Sequence, residues 1–253
     1  MRYDVSFSDT TVGGSPVPVK PLRSATRVLA VLEAVATLQP VGLGAVTRHL
    51  DEDKSAVQRA LTTLADDAWI RAVPGEPPRW ELTTRALVMA SEATLRSDLR
   101  GRARPVLEAL RDETDESVML AIPDPPRIVT LDVVESRQLV RAAPHVGMVI
   151  PPVGSSAAQA LLSHLSPAEV GVFLGREPDA AYLAGLAAVR RRGWALNRGD
   201  VNAAASGIAT AVLDARGRPV AAIAVSAPTE RLPRSLHASM GRRLAEAAAA
   251  LSG

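Results

Sequence analysis

The chain has 253 residues, 47% hydrophobic and 22% charged, enough for one large domain or two modest ones with real cores. Aromatic residues make up only 3%, so the core must come from Ala, Leu and Val, and a base-stacking surface for single-stranded nucleic acid is excluded. Cysteine is absent, which removes disulfides, thiolate metal sites and cysteine nucleophiles together and fits a reducing compartment, while 29 basic against 27 acidic residues leave a charge of +2, too small to name a partner.

Residues 1–22 hold Gly13, Gly14, Pro16, Pro18 and Pro21 without periodicity, the composition of a flexible N-terminal arm. They contain no signal-peptide pattern, and no stretch elsewhere reaches the roughly eighteen uncharged apolar residues of a membrane span, so a cytoplasmic chain with no membrane partner is expected.

Order is expected from Ser24, a candidate N-cap. Val28, Val31, Leu32 and Val35 then recur at helical spacing until Gln39–Pro40. Leu43, Val46 and Leu50 mark a short second helix, interrupted by Asp51, Glu52 and Asp53. A third helix over residues 54–65 follows, capped by Asp53. With Val57, Ala60, Leu61 and Leu64 on one face, Ser55, Gln58, Arg59 and Thr62 must project from the other. Two short strands, residues 69–73 and 79–82, flank the turn residues 74–78.

Three helices and a hairpin over residues 23–84 outline a winged helix-turn-helix, a module that reads double-stranded DNA. In that outline the third helix enters the major groove. Gln58 can pair bidentately with adenine and Arg59 with guanine or a phosphate, while Lys54 and Ser55 hold the backbone. Arg23, Arg27, Arg48, Arg71 and Arg79 must gather on the same side, because residues 1–84 carry nine Lys or Arg against ten Asp or Glu, a net −1.

Residues 85–99 read as a linker helix. Beyond it, residues 100–253 begin with a helix from Pro105 to residue 114, with Pro105 in its first turn. Strands are expected at 117–122, 128–134 and 139–143, and helices at 157–165 and 183–192, the latter closed by Gly193. Strands at 208–213 and 220–226 flank Asp214–Gly217, a hairpin signal, and an Ala-rich helix carrying Leu236, Met240, Leu244 and Leu251 ends the chain. The fold class is α+β with a mainly antiparallel sheet.

Catalytic signatures are missing. Gly154–Ser155–Ser156 is not a nucleophile elbow, and His49, His145, His164 and His237 form no metal-ligand pair. Gly42-x-Gly44 lacks the third glycine of a dinucleotide loop. No catalytic residue, metal or cofactor is therefore expected.

The runs SATRVLAVLEA from Ser24, KSAVQRALTTL from Lys54 and WELT from Trp80 resemble the DNA-binding domain of IclR-type transcriptional regulators. ARPVLEALRDET from Ala103, LDVVES from Leu131, VRRRGWA from Val189 and VSAPTERL from Val225 are similar, in order and spacing, to that family's effector domain. The resemblance implies a winged helix-turn-helix, a linker helix and a GAF-like α+β effector domain at 100–253. It further implies a homodimer or dimer of dimers reading a pseudo-palindromic operator.

It also implies an effector pocket at Ser156, Ala157, Asn197, Gly207, Ala224 and Ser226. Where family members often carry aspartate, cysteine and serine, this chain has Asn197, Gly207 and Ala224. With fewer polar anchors, the ligand is expected to be larger and more apolar than a small carboxylate, or absent. The rival reading is a small-molecule-binding or enzymatic α+β domain with an accessory helical module, which requires carboxylates such as Asp132, Glu135 and Asp200 to converge. A third is a regulator that acts purely through oligomerisation of its second domain.

Overall fold

The computed structural model describes residues 22–75, 77–94 and 99–252. The arm expected over residues 1–22 lies outside them up to residue 21, as do residues 95–98 of the linker. The chain forms two compact units divided between Ala93 and Thr94.

In the first unit α1 (Arg23–Leu38), α2 (Leu43–Leu50) and α3 (Lys54–Asp66) enclose a core of Val31, Val35, Val46, Val57, Leu61, Leu64 and Ile70. Ser24 does not cap α1. The helix begins at Arg23, because the Thr26 N–H and hydroxyl both donate to the Leu22 carbonyl and extend the ladder past the serine. Antiparallel β2 (Ile70–Val73) and β3 (Arg79–Leu82) form the wing, and β1 (Val41–Gly42) adds to the free edge of β3 through Val41 opposite Trp80. A two-residue strand has no period, so β1 left no sequence signal. Helix α4 (Arg85–Thr94) closes the unit, its last residue lying just past the boundary.

In the second unit α5 (Leu99–Thr114) precedes the hairpin of β4 (Ser117–Asp124) and β5 (Arg127–Val134). Then come α6 (Ser156–Leu162), α7 (Pro167–Leu174), α8 (Ala180–Arg192), β6 (Ala195–Arg198), β7 (Ala205–Leu213), β8 (Pro219–Pro228) and α9 (Arg234–Ala249). The sheet runs β5-β4-β8-β7-β6, antiparallel throughout, so the chain has the expected α+β architecture. Strand alternation supplies a core on each face. Ile223 and Val225 pack with Leu107, Leu110 and Leu244 of α5 and α9, whereas Ala222 and Ala224 pack with Leu161, Leu162 and Val170 of α6 and α7. Alanines on the second face let α6 lie close to the sheet.

Three expectations are corrected. Pro105 is not in a first turn but inside α5, which begins at Leu99. The N–H it lacks would have met the carbonyl of Gly101, and the residue at that crowded position has no side chain. Residues 139–143 form no strand: Leu139 is 95% exposed, and the segment is held through its carbonyls, with the Ser117 hydroxyl donating to Ala142 and Arg231 to Val140. Leu251 lies beyond the end of α9 but still packs in the α5–α9 core. Besides β1, the helix α7, the edge strand β6 and a short 3-10 turn at Thr229–Arg231 are additional.

Candidate nucleic-acid interface and ligand cleft

The orientation of α3 follows from its buried face. Val57, Ala60, Leu61 and Leu64 are at most 3% exposed, and rotating the larger ones into water would cost about 1.5–3 kcal/mol each. Lys54, Ser55, Gln58, Arg59 and Thr62 are consequently exposed, and Thr63, which the sequence did not single out, joins Ser55, Gln58, Arg59 and Thr62 along one shallow groove.

A short network orders the first turns of this face. Asp53 accepts from the Ser55 N–H at 2.9 Å, the Ala56 N–H at 3.1 Å and the Ser55 hydroxyl at 2.5 Å, and Arg59 donates to that hydroxyl at 3.3 Å. The Ser55 hydroxyl, then the helix N–H groups and the Arg59 charge hold the Asp53 carboxyl below the usual carboxylate range. Thr62 donates to the Gln58 carbonyl, so its hydroxyl oxygen remains open as an acceptor.

The acidic triplet before α3 is absorbed by the fold. Asp51 takes the left-handed position that closes α2, at φ 50° and ψ 46°, where a short polar side chain is tolerated. Glu52 accepts from Arg27 at 3.0 Å, with both side chains about one-third exposed, and Asp53 is the cap. Arg27 is thereby tied to α2's C-terminal bend and does not join the free cations. Arg71 is likewise tied to Glu81. Arg23, Arg48, Lys54 and Arg79 are exposed, with no ion pair among the described residues.

The base of α4 is fastened to this unit. Arg85 stacks over the Trp69 ring at 4.9 Å and donates to the Asp67 carbonyl, while its N–H donates to Thr83.

In the second unit a row of residues crosses the sheet toward α6. Ser117 on β4 lies opposite Ser226 on β8, Ser226 opposite Gly207 on β7, and Gly207 opposite Asn197 on β6. Above it sits Ser156 of α6, whose hydroxyl oxygen is 3.0 Å from where a Gly207 Cβ would be, so a side chain at 207 would have to displace that hydroxyl by a few tenths of an ångström. Asn197, Gly207 and Ser226 of this row form the floor of a cleft of about 270 Å3. Ser156, Asn197, Gly207 and Ser226 line it. Ala157 and Ala224 do not: both are buried in the apolar layer between α6 and the sheet, Ala157 a helical step round from Ser156 and Ala224 two residues deeper along β8 than Ser226. The remaining wall, from Met119, the 142–151 loop and Asn202, comes from segments whose convergence no local pattern encodes.

Asp132, Glu135 and Asp200 do not form a shared site. Asp132 is bound by Arg104 at 3.2 Å and Arg100 at 3.4 Å, Glu135 by Arg141 at 2.7 Å, and Asp200 accepts from the Arg198 N–H. Among the described residues no cluster of acids and histidines could hold a metal, and no helix is long and apolar enough to cross a membrane.

Comparison with known proteins matches residues 24–74 to the IclR helix-turn-helix domain and residues 91–253 to the bacterial transcriptional regulator IclR C-terminal family. The acetate operon repressor of Salmonella typhimurium is 27% identical, the alignment covering 90% of this chain and 88% of the repressor. The HTH-type transcriptional regulator BhcR of Paracoccus denitrificans is 29% identical over 91% and 86%. Among solved structures, an IclR homologue of Microbacterium hydrocarbonoxydans in complex with 4-hydroxybenzoate shares the fold at a TM-score of 0.76 and 21% identity, covering 90% of this chain and 97% of that one. With a family match extending over well more than half its length, this chain belongs to the IclR family of DNA-binding transcriptional regulators.

Proposed function

We propose that the protein is a cytoplasmic, ligand-responsive regulator and not an enzyme, acting as a homodimer or dimer of dimers on a pseudo-palindromic operator. In this reading residues 23–84 bind DNA, residues 85–99 link, and residues 100–253 sense the ligand and oligomerise. Gln58 and Arg59 read base edges. Lys54, Ser55, Thr62, Arg23 and Arg79 contact the backbone, and Arg27 positions the bend that delivers α3. The observation that carries the reading is the outward polar stripe of α3, ordered by the Asp53–Ser55–Arg59 network, with Glu52 paired to Arg27.

The cleft around Ser156, Asn197, Gly207 and Ser226 is the effector site, with Ala157 and Ala224 supporting its floor from behind. The complex of the Microbacterium homologue with 4-hydroxybenzoate supports small-molecule binding. Ligand held there changes the relative populations of arrangements of the paired DNA-binding units. Genome-wide mapping of bound sites supplies the operator, and a mobility-shift titration with and without metabolites tests the scheme. Specific binding that some metabolite weakens or strengthens is expected; absence of specific binding refutes it.

A further inference from the structure

The start of α3 carries its own anion. Asp53 accepts from the Ser55 and Ala56 N–H groups at 2.9 and 3.1 Å, two donors with which the helix could otherwise grip a phosphate. Its carboxylate is exposed, at the end of α3 that enters the groove in the reading above, and therefore repels the DNA backbone there. Glu52 is neutralised by Arg27 at 3.0 Å, whereas Asp53 makes no ion pair among the described residues.

What this carboxylate does instead is fix a proton. A serine hydroxyl has one proton and two lone pairs. The Ser55 proton goes to Asp53 at 2.5 Å, so the lone pairs face away from the cap, and one accepts from Arg59 Nη1 at 3.3 Å. Ser55 then has no proton left for a phosphate, which withdraws it from the backbone contacts proposed above. Arg59 is held by Nη1 alone, and its Nε–Nη2 edge, two parallel N–H donors, meets no acceptor among the described residues. Such a fork matches O6 and N7 of guanine. An Arg59 released from Ser55 could swing to the phosphates, where it would gain contacts with any sequence and lose its preference for one base.

We propose that Asp53 is a specificity-determining residue: through the Ser55 hydroxyl it sets which edge of Arg59 meets the DNA and confines Arg59 to a base, while weakening attraction to the backbone. This rests on the reading of α3 as the recognition helix and of Arg59 as a base reader, and adds a positioning residue that touches no base itself.

The probe is a duplex selected from random-sequence DNA by the full-length protein. Each of its positions is then varied singly, and anisotropy titrations give a base-preference profile. Arg59→Ala marks the position that Arg59 reads by loss of preference there. Asp53→Asn keeps an oxygen for the two N–H groups but removes the charge, and Ser55→Ala keeps Asp53 as cap but removes the relay. Both should lose about threefold or more of the preference at the Arg59 position and keep the preferences elsewhere. Asp53→Asn should also bind a scrambled duplex at least as tightly as the wild type, because one negative charge is gone. Weaker binding there would mean a frayed helix, and Ser55→Ala, which leaves both backbone bonds to Asp53 in place, then decides. Full preference at the Arg59 position in Ser55→Ala overturns the proposal, as does a loss spread evenly over all positions, which a cap alone would give. If Ser55→Ala lowers that preference further in an Arg59→Ala background, Ser55 acts on the DNA directly and the relay is wrong. An Arg59→Ala profile equal to the wild type removes Arg59 as a reader, and this role of Asp53 with it. A wild-type protein that selects no sequence refutes the DNA-reading scheme itself.

Discussion

Arg59 emerges from the second turn of α3 with its guanidinium already steadied by the Ser55 hydroxyl, so little side-chain freedom is lost when it meets a base or phosphate. Arg59→Ala should therefore lower operator affinity by about tenfold or more, the ~1–3 kcal/mol of one bidentate contact. A gel-shift titration measures this, and unchanged affinity removes Arg59 from the reading face. Glycines in the second unit make a sharper pair of tests. A Cβ on Gly241 of α9 would lie 2.5 Å from the Trp194 ring, which is itself stacked under Arg192 at 3.9 Å. Gly241→Ala should cost about 1–3 kcal/mol by overpacking. In α8 the Cβ position of Gly185 meets nothing within 4 Å, so Gly185→Ala should instead stabilise by about 0.5–1 kcal/mol. Urea unfolding of both variants decides whether packing or backbone entropy rules each site.

At the scale of elements, the capping of α7 carries a pH dependence. Glu169 accepts from the Ser166 hydroxyl at 2.7 Å, the Ser166 N–H at 2.8 Å and Arg218 at 2.8 Å, and these bonds hold its carboxyl at about 2, below its ordinary 4.5. Because the folded value is the lower one, the unfolded chain binds the extra proton. The stabilisation is complete above about pH 4.5 and is lost as pH falls toward 2. Glu169→Gln should make the fall in melting temperature between pH 5 and pH 3 visibly shallower; equal slopes for the two proteins remove Glu169 as its source. That same Ser166-Pro-Ala-Glu169 box was a readable start signal for α7, but PAEVGVFL shows no amphipathic period, so the helix escaped notice. The third helix was legible for the opposite reason, with four apolar positions at helical spacing directly after a capping aspartate. Leu139 and Val140 misled because apolar residues mark a strand only when a partner strand is there to bury them. In the cleft, the family resemblance named Ser156, Asn197, Gly207 and Ser226; strand register sets the last three side by side, and Ser156 reaches them from α6. It could not separate Ser226 from Ala224, because that distinction depends on how far α6 extends over the sheet.

For the whole molecule the decisive quantity is charge. Residues 1–84 carry a net −1, and in the proposed reading the exposed cations without an ion pair among the described residues (Arg23, Arg48, Lys54, Arg59 and Arg79) are the ones that face a polyanion. Phosphate contacts supply much of the affinity of any such protein and weaken steeply with salt, so one copy on one half-site should be a poor binder at physiological ionic strength. Two copies on one duplex, as proposed above, would overcome this, because the second would bind at the high local concentration set by the first. That gain exists only when both recognition helices meet the major groove on the same side of the DNA. An operator lengthened between its half-sites by about five base pairs, half of the ~10.5 base-pair turn, should therefore lose most of its affinity, and one lengthened by about ten should recover part of it. Anisotropy titrations on the three duplexes at fixed salt give the comparison. Equal affinity for all three would mean that each half-site is bound independently, leaving ligand in the second unit no spacing of recognition helices through which to act.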